Sequence, residues 1–213
     1  MIGMIFLKYK IINNINRTAK YANNNENRKF LKCNSFENVR FFNSNMTYFH
    51  FKNITLKNVD FLGCNLKHSI LKNGQFINCI FYNVNLSNSN FKNSNFKNCY
   101  FINCNLDDVK KINFSCINVI NSDFSTLHIS KMLESTALNL NRVPAFKKAY
   151  VFTTKRSKGL KLNMGMFFVL RNDFSDYELS RVLSVINNKS NSRIKNFITY
   201  GQFYEFGKKY LKK

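Results

Sequence analysis

The residue types that could do chemistry in this 213-residue chain are three histidines, six cysteines and 33 lysines and arginines, against only 11 acidic residues. His50, His68 and His128 are scattered, and no carboxylate stands at a spacing that would build a triad around them. The cysteines form no CxxC pair and no Cys/His cluster with zinc spacing, so reduced structural thiols are expected, with no metal and no other cofactor. HExxH, GxSxG, phosphate-loop and dinucleotide fingerprints are missing. No catalytic residue is nominated, and the chain reads as a binding scaffold rather than an enzyme.

The chemistry that remains is charge. A net +22 attracts polyanions, meaning nucleic acid or an acidic membrane. An AT-rich coding sequence inflates Lys, Asn, Ile and Phe, but it would raise Glu as well, and Glu is scarce here. Self-repulsion of this size asks for a counter-charge. The excess is uneven: +5 over residues 1–30, +5 over 31–130 and +12 over 131–213.

The elements that must position these cations are set by a repeat. Sixteen consecutive positions at a spacing of five, from Leu31 through Phe36, Phe41 and Met46 to Leu106, are Leu, Phe or Met. Two residues before them the side chain is often small, as at Ser44, Cys64, Ser69, Gly74, Cys79 and Cys99. Two residues after, it is usually Asn, as at Asn38, Asn58, Asn78 and Asn98. A period of five fits neither a helix nor a flat strand. It fits a chain that turns a corner every five residues, with one large and one small side chain pointing inward per side.

Runs such as Ser89-Asn90-Phe91-Lys92-Asn93 and Cys104-Asn105-Leu106-Asp107-Asp108 resemble the pentapeptide-repeat family. The resemblance implies a right-handed parallel β-helix in which four units make a square coil of twenty residues, with coils stacked about 4.8 Å apart. The sequence supports that coil: its third side reads Phe41, Phe61, Phe81, Phe101 and its fourth Met46, Leu66, Leu86, Leu106. Beyond Leu106 the register slips by three and resumes at Phe114, Val119, Phe124 and Ile129. This predicts a bulge at Asp107–Lys111 and puts Phe124 under the Phe column. Cys79 and Cys99 share an inward column at a separation that permits a disulfide, with free thiols expected. The fold class is mainly β: a basic Asn-rich arm at 1–30, a β-helix of about five coils at 31–130, and a small basic α+β region at 131–213.

Sorting outward residues by side separates two surfaces. Side one carries Lys32, Lys52, Lys72 and Lys92, a ladder that wants anions between its rungs. Side three carries Phe42, Leu62, Tyr82 and Ile102, joined by Ile80 and Tyr100, an apolar patch to be covered by the C-terminal region or by another protein. Asn45, Asn65, Asn85 and Asn105 on side four are expected to stack as an amide ladder.

In the C-terminal region Tyr150–Thr154 and Leu160–Leu170 read as strands around the turn Lys155–Gly159. A helix follows from Ser175, with Glu178 closing a capping box and Leu179, Val182, Leu183 and Ile186 forming one apolar face. From Arg193 to Lys213 basic residues interleave with Phe197, Tyr200, Phe203, Tyr204, Phe206 and Tyr210, the mixture that RNA contact uses. Lys155, Arg156, Lys158, Lys208, Lys209, Lys212 and Lys213 are the candidate RNA contacts there.

The expected partners are RNA, ribosomal RNA in particular, and neighbouring proteins of a large assembly; no small-molecule substrate is expected. The best-known members of the resembled family bind type II topoisomerases by imitating DNA with an acidic rod, so the resemblance implies a gyrase-binding alternative. This chain departs from it where the outer columns are lysine. A third reading, a scaffold on an anionic membrane, wants an amphipathic helix carrying the lysines, and none is evident. No run approaches 18 apolar residues, and Met1–Leu7 is too short and lacks the basic flank of a secretory signal. A chain starting at Met1 without an Arg- and Ser-rich presequence is expected in a reducing intracellular compartment, as an organelle-encoded mitochondrial ribosomal component or otherwise in the cytoplasm.

Overall fold

Corners organise this fold, and asparagine makes them. In the computed structural model, which describes residues 10–13, 35–149, 151–156, 159–188 and 196–213, eleven asparagines two places after a large inward residue sit in the left-handed region. Their φ values run from 46° at Asn43 to 60° at Asn93. Asparagine tolerates that conformation where other side chains pay about 1–2 kcal/mol. Replacing the exposed Asn83 (φ 52°), whose N–H donates to the Ile102 carbonyl at 2.9 Å, tests this. Asn83→Ala is expected to cost about 1 kcal/mol in urea unfolding while Asn83→Gly stays within about 0.5 kcal/mol. Equal losses for the two would show that the corner does not depend on φ.

Between corners the chain is extended and pairs with itself in parallel twenty residues later. Strands β1 (Lys10–Asn13), β2 (Ser35–Phe42) and β3 (Thr55–Leu62) are followed by β4 (Gln75–Ile77), β5 (Ile80–Tyr82), β6 (Asn95–Lys97), β7 (Tyr100–Ile102) and β8 (Asn118–Ile120). β2 and β3 run through their corners at Asn38 and Asn58, whereas later coils divide the same two sides into separate strands. Sides one and four pair through single residues, His50–Ile70–Asn90–Lys110 and Asn45–Asn65–Asn85–Asn105. The result is a parallel solenoid of about four complete coils. β1 pairs in parallel with β2, so part of the basic arm joins the sheet.

The core is the inward column set the repeat predicts. Phe41, Phe61, Phe81 and Phe101 are wholly buried, with rings stacked at 4.9, 5.0 and 4.5 Å. Met46, Leu66 and Leu86 are equally shut from water. The small inward residues are satisfied by carbonyls of the preceding coil: Ser69 and Ser89 hydroxyls donate to Met46 and Leu66 at 2.9 and 2.8 Å.

Two expectations about the solenoid are corrected. The side-chain amide ladder lies elsewhere, where Asn58, Asn78 and Asn98 each donate to the asparagine one coil earlier at 2.9–3.1 Å. Asn65, Asn85 and Asn105 instead turn Oδ1 onto the backbone N–H two residues ahead, at 3.1, 3.0 and 2.9 Å. The last coil is shorter than the sequence implies, because Val119, not Phe124, lies opposite Phe101. Phe114 falls in a 3-10 turn, 53% exposed. Phe124 lies past the boundary at Asn121 and packs on Phe168 at 5.3 Å.

The second unit, Ser122–Lys213, holds helices α1 (Lys131–Leu140), α2 (Pro144–Ala149), α3 (Met164–Leu170), α4 (Asp176–Asn188) and α5 (Tyr200–Leu211), with a hairpin of β9 (Thr153–Arg156) and β10 (Gly159–Leu162). Rings of Phe146, Phe152, Phe167 and Phe203 meet at 4.9–6.0 Å in its centre. Met164–Leu170 is helix where a strand is expected. Its apolar residues bury nearly all round, so periodicity cannot distinguish the two, and Asn163 Oδ1 caps the helix by accepting from Met166 N at 3.3 Å. The capping box at α4 forms as expected, with Ser175 N donating to Glu178 Oε2 at 2.9 Å and Glu178 N to Ser175 Oγ at 3.2 Å. Leu179, Val182, Leu183 and Ile186 are buried. Within the interleaved C-terminal run, Tyr200–Leu211 is helix α5: Tyr200 and Phe203 turn inward, and a Thr199–Gln202 capping box starts it. A Cβ at Gly207 would come within 2.9 Å of the Phe174 ring, so a larger residue there would make the ring shift.

Candidate nucleic-acid interface

Lys52, Lys72 and Lys92 stack in register on side one, where Asn53 N donates to the Lys72 carbonyl at 3.0 Å and Asn73 N to that of Lys92 at 2.9 Å. Parallel pairing holds successive lysines about 4.8 Å apart at the backbone. Lys52 and Lys92 are exposed and Lys72 half-buried; among the described residues none of the three makes a salt bridge. Lys57 on side two is by contrast held by Glu37 at 3.3 Å. Lys32 lies outside the described residues. Lys110, which pairs with Asn90 in the neighbouring column, adds a cation the sequence reading did not single out.

Side three is not an open apolar face along its whole length. Phe42, Leu62 and Tyr82 keep partial exposure, but Ile80, Tyr100 and Ile102 are buried. The column of Ile80 and Tyr100 continues to Asp60 and Arg40. Arg40 Nη2 meets Asp60 Oδ2 at 2.6 Å and Nε meets the same oxygen at 3.2 Å, both residues 2% exposed or less. The pair stands in the sequence at the twenty-residue period, one place before the large residues Phe41 and Phe61.

In the second unit the expected cations divide. Lys208 is bound to Asp173 at 2.8 Å and Lys213 to Glu178 at 2.7 Å, and both ammonium groups lie over the Phe174 ring. Lys209 and Lys212 are exposed. Lys155 and Arg156 belong to β9, but their side chains, like all of Lys158, lie outside the described residues.

Lys213 and the Ser175 N–H hold the Glu178 carboxyl down to about 2, from an ordinary 4.5. Because the folded value is depressed, the clasp is fully present above pH 4.5 and is lost as pH falls toward 2. Thermal unfolding followed from pH 6 to 2 should therefore fall less steeply for Glu178→Gln than for the parent chain. Parallel curves would refute the clasp.

The thiols of Cys64, Cys79 and Cys104 are poor nucleophiles. Burial pushes Cys64 up to about 11 and Cys104 up to about 12; burial, then the neighbouring Cys99 thiol, raises Cys79 well above its ordinary value. Cys79 and Cys99 are unbridged. Among the described residues no three of His, Cys, Asp or Glu gather where a metal ion could sit, and no helix is long and apolar enough to cross a membrane.

Asparagine corners, a square inward column set and parallel pairing at twenty residues define a parallel β-solenoid, and helices follow it in the chain. The family described as Pentapeptide repeats matches residues 35–73 and 75–110 in eight copies. Among solved structures, the repeat protein Rfr23 from the cyanobacterium Cyanothece 51142 is 17% identical with a TM-score of 0.34, covering 53% of this chain and 80% of its own. A trypsin-treated form of QnrB1, a plasmid-mediated fluoroquinolone resistance protein, is 14% identical with a TM-score of 0.19, covering 43% of this chain and 84% of its own. No curated protein matches the chain.

Proposed function

We propose that this chain is a non-enzymatic scaffold that binds RNA within a ribonucleoprotein assembly, with a mitochondrial ribosomal particle as the setting its basic composition suits best. The observation that carries the reading is the column Lys52, Lys72, Lys92. Pairing with adjacent coils prevents these lysines from separating at the backbone, so their mutual repulsion is relieved by phosphates between them. The membrane reading is weaker, because the column is flanked by asparagine corners and not by an exposed apolar strip that would enter lipid. Topoisomerase binding is the second reading. It rests on the family that the repeats match, and a basic outer column weighs against imitation of DNA.

The test compares the full chain with the triple variant Lys52→Glu, Lys72→Glu, Lys92→Glu on a labelled ribosomal RNA fragment across a salt series. Affinity is expected to fall about tenfold or more, with a shallower salt slope by about 2 to 3. Unchanged affinity would overturn the role of the column. Purification from source at low salt that yields a topoisomerase and no RNA would overturn the RNA reading itself.

A further inference from the structure

The second unit exposes an aromatic and cationic cluster that the ion-paired lysines leave untouched. Tyr177, in the first turn of α4, is 61% exposed. One turn on, the Arg181 guanidinium lies 5.8 Å from the Tyr177 ring centroid and 5.9 Å from that of Tyr210 on α5. Tyr210 is 37% exposed and stacks on Phe206 at 6.1 Å with an interplanar angle of 13°. Arg181 is itself exposed and, among the described residues, carries no salt bridge. The two helices thus present a strip of aromatic faces with an unneutralised guanidinium held between them.

We propose that Tyr177, Arg181 and Tyr210 form a stacking platform for unpaired nucleobases of single-stranded RNA, an inference that rests on the RNA-scaffold reading above. Aromatic rings and guanidinium planes accept the face of any base, and the cation serves the adjoining phosphate. Arginine contact with both rings limits their rotamers before a base arrives, which reduces the ordering that binding requires. Residues 131–213 carry a net +12, and Lys209 and Lys212 on or beside α5 are exposed, so a polyanion fits this surface better than a neutral or basic protein does. In duplex RNA the bases are stacked away and cannot reach such a platform.

The experiment measures binding of the full chain to labelled oligouridine and to a duplex RNA of equal length, for the parent, Tyr177→Ala with Tyr210→Ala, and Tyr177→Phe. The alanine pair is expected to lose roughly tenfold or more on oligouridine and less than about twofold on duplex, while phenylalanine, which keeps the ring face, retains binding. Arg181→Gln, which leaves both rings, provides a second variant, with a loss of roughly threefold or more expected on oligouridine alone. Equal losses on both RNAs, or none on either, would overturn the platform; so would loss of a co-purifying protein with RNA binding intact. If the parent chain binds neither RNA, the scaffold reading falls with it; if the parent binds both and the variants match it, the platform alone falls.

Discussion

Replacing Phe81 by alanine is expected to destabilise the solenoid by about 3–5 kcal/mol, at the upper end of what a single core truncation costs. The ring is wholly buried, stacked between Phe61 at 5.0 Å and Phe101 at 4.5 Å, and tilted at 54° against Phe76. Truncation removes both stacking partners' contacts together with the buried area. The surroundings cannot collapse to fill the space, since β5 is pinned between β3 and β7 by parallel pairing. Leucine at the same position keeps much of the volume and should cost about 1.5 kcal/mol or less. Val119→Ala, at the 41% exposed end of the same column, should cost well under 1 kcal/mol. Urea midpoints with an unchanged m-value measure all three. A fall in m for Phe81→Ala would mean that the coils above and below have come uncoupled, as nearest-neighbour stacking allows. A loss below about 1 kcal/mol would show that the column is not the stabilising core.

The repeat was legible because each side of the solenoid needs one large inward residue. Phe41, Phe61, Phe81 and Phe101 follow from spacing alone. Where the repeat stops was not legible. Phe124 keeps an apolar five-residue spacing but serves a different core, against Phe168. Nor could spacing separate two uses of asparagine: Asn58 and Asn78 bond their neighbours across coils, whereas Asn65 and Asn85 bond their own backbone. The lysine column could be read from the repeat, because stacking follows directly from a twenty-residue period. The fate of Lys208 and Lys213 could not, because Asp173 and Glu178 lie 35 residues away in sequence and meet them only once α5 folds back on the start of α4. Tyr177 and Arg181 were likewise invisible until α4 and α5 set them beside Tyr210.

Removing the carboxylate of Asp60 by an alanine substitution should cost about 3–5 kcal/mol, because it leaves the Arg40 guanidinium buried without its counter-ion. The pair is unusual in its placement. It occupies an outward column of side three, yet Arg40 is 2% exposed and Asp60 1%. Transfer of either charge from water is costly, and the contacts at 2.6 and 3.2 Å to one carboxylate oxygen help to offset it. The next two rungs of the column are Ile80 and Tyr100, which are also buried, so the site accepts apolar side chains without a change of backbone. The paired replacement Arg40→Met with Asp60→Leu is therefore expected to be near neutral, or stabilising by about 1 kcal/mol or more, although Asp60→Ala alone is severe. A double-mutant cycle read from urea unfolding decides the matter. If the paired variant is as unstable as Asp60→Ala, the ion pair contributes net stability that apolar packing cannot supply, and its role is to hold β2 and β3 in register. If the paired variant matches the parent, the charges are dispensable to stability and the column needs only to be filled.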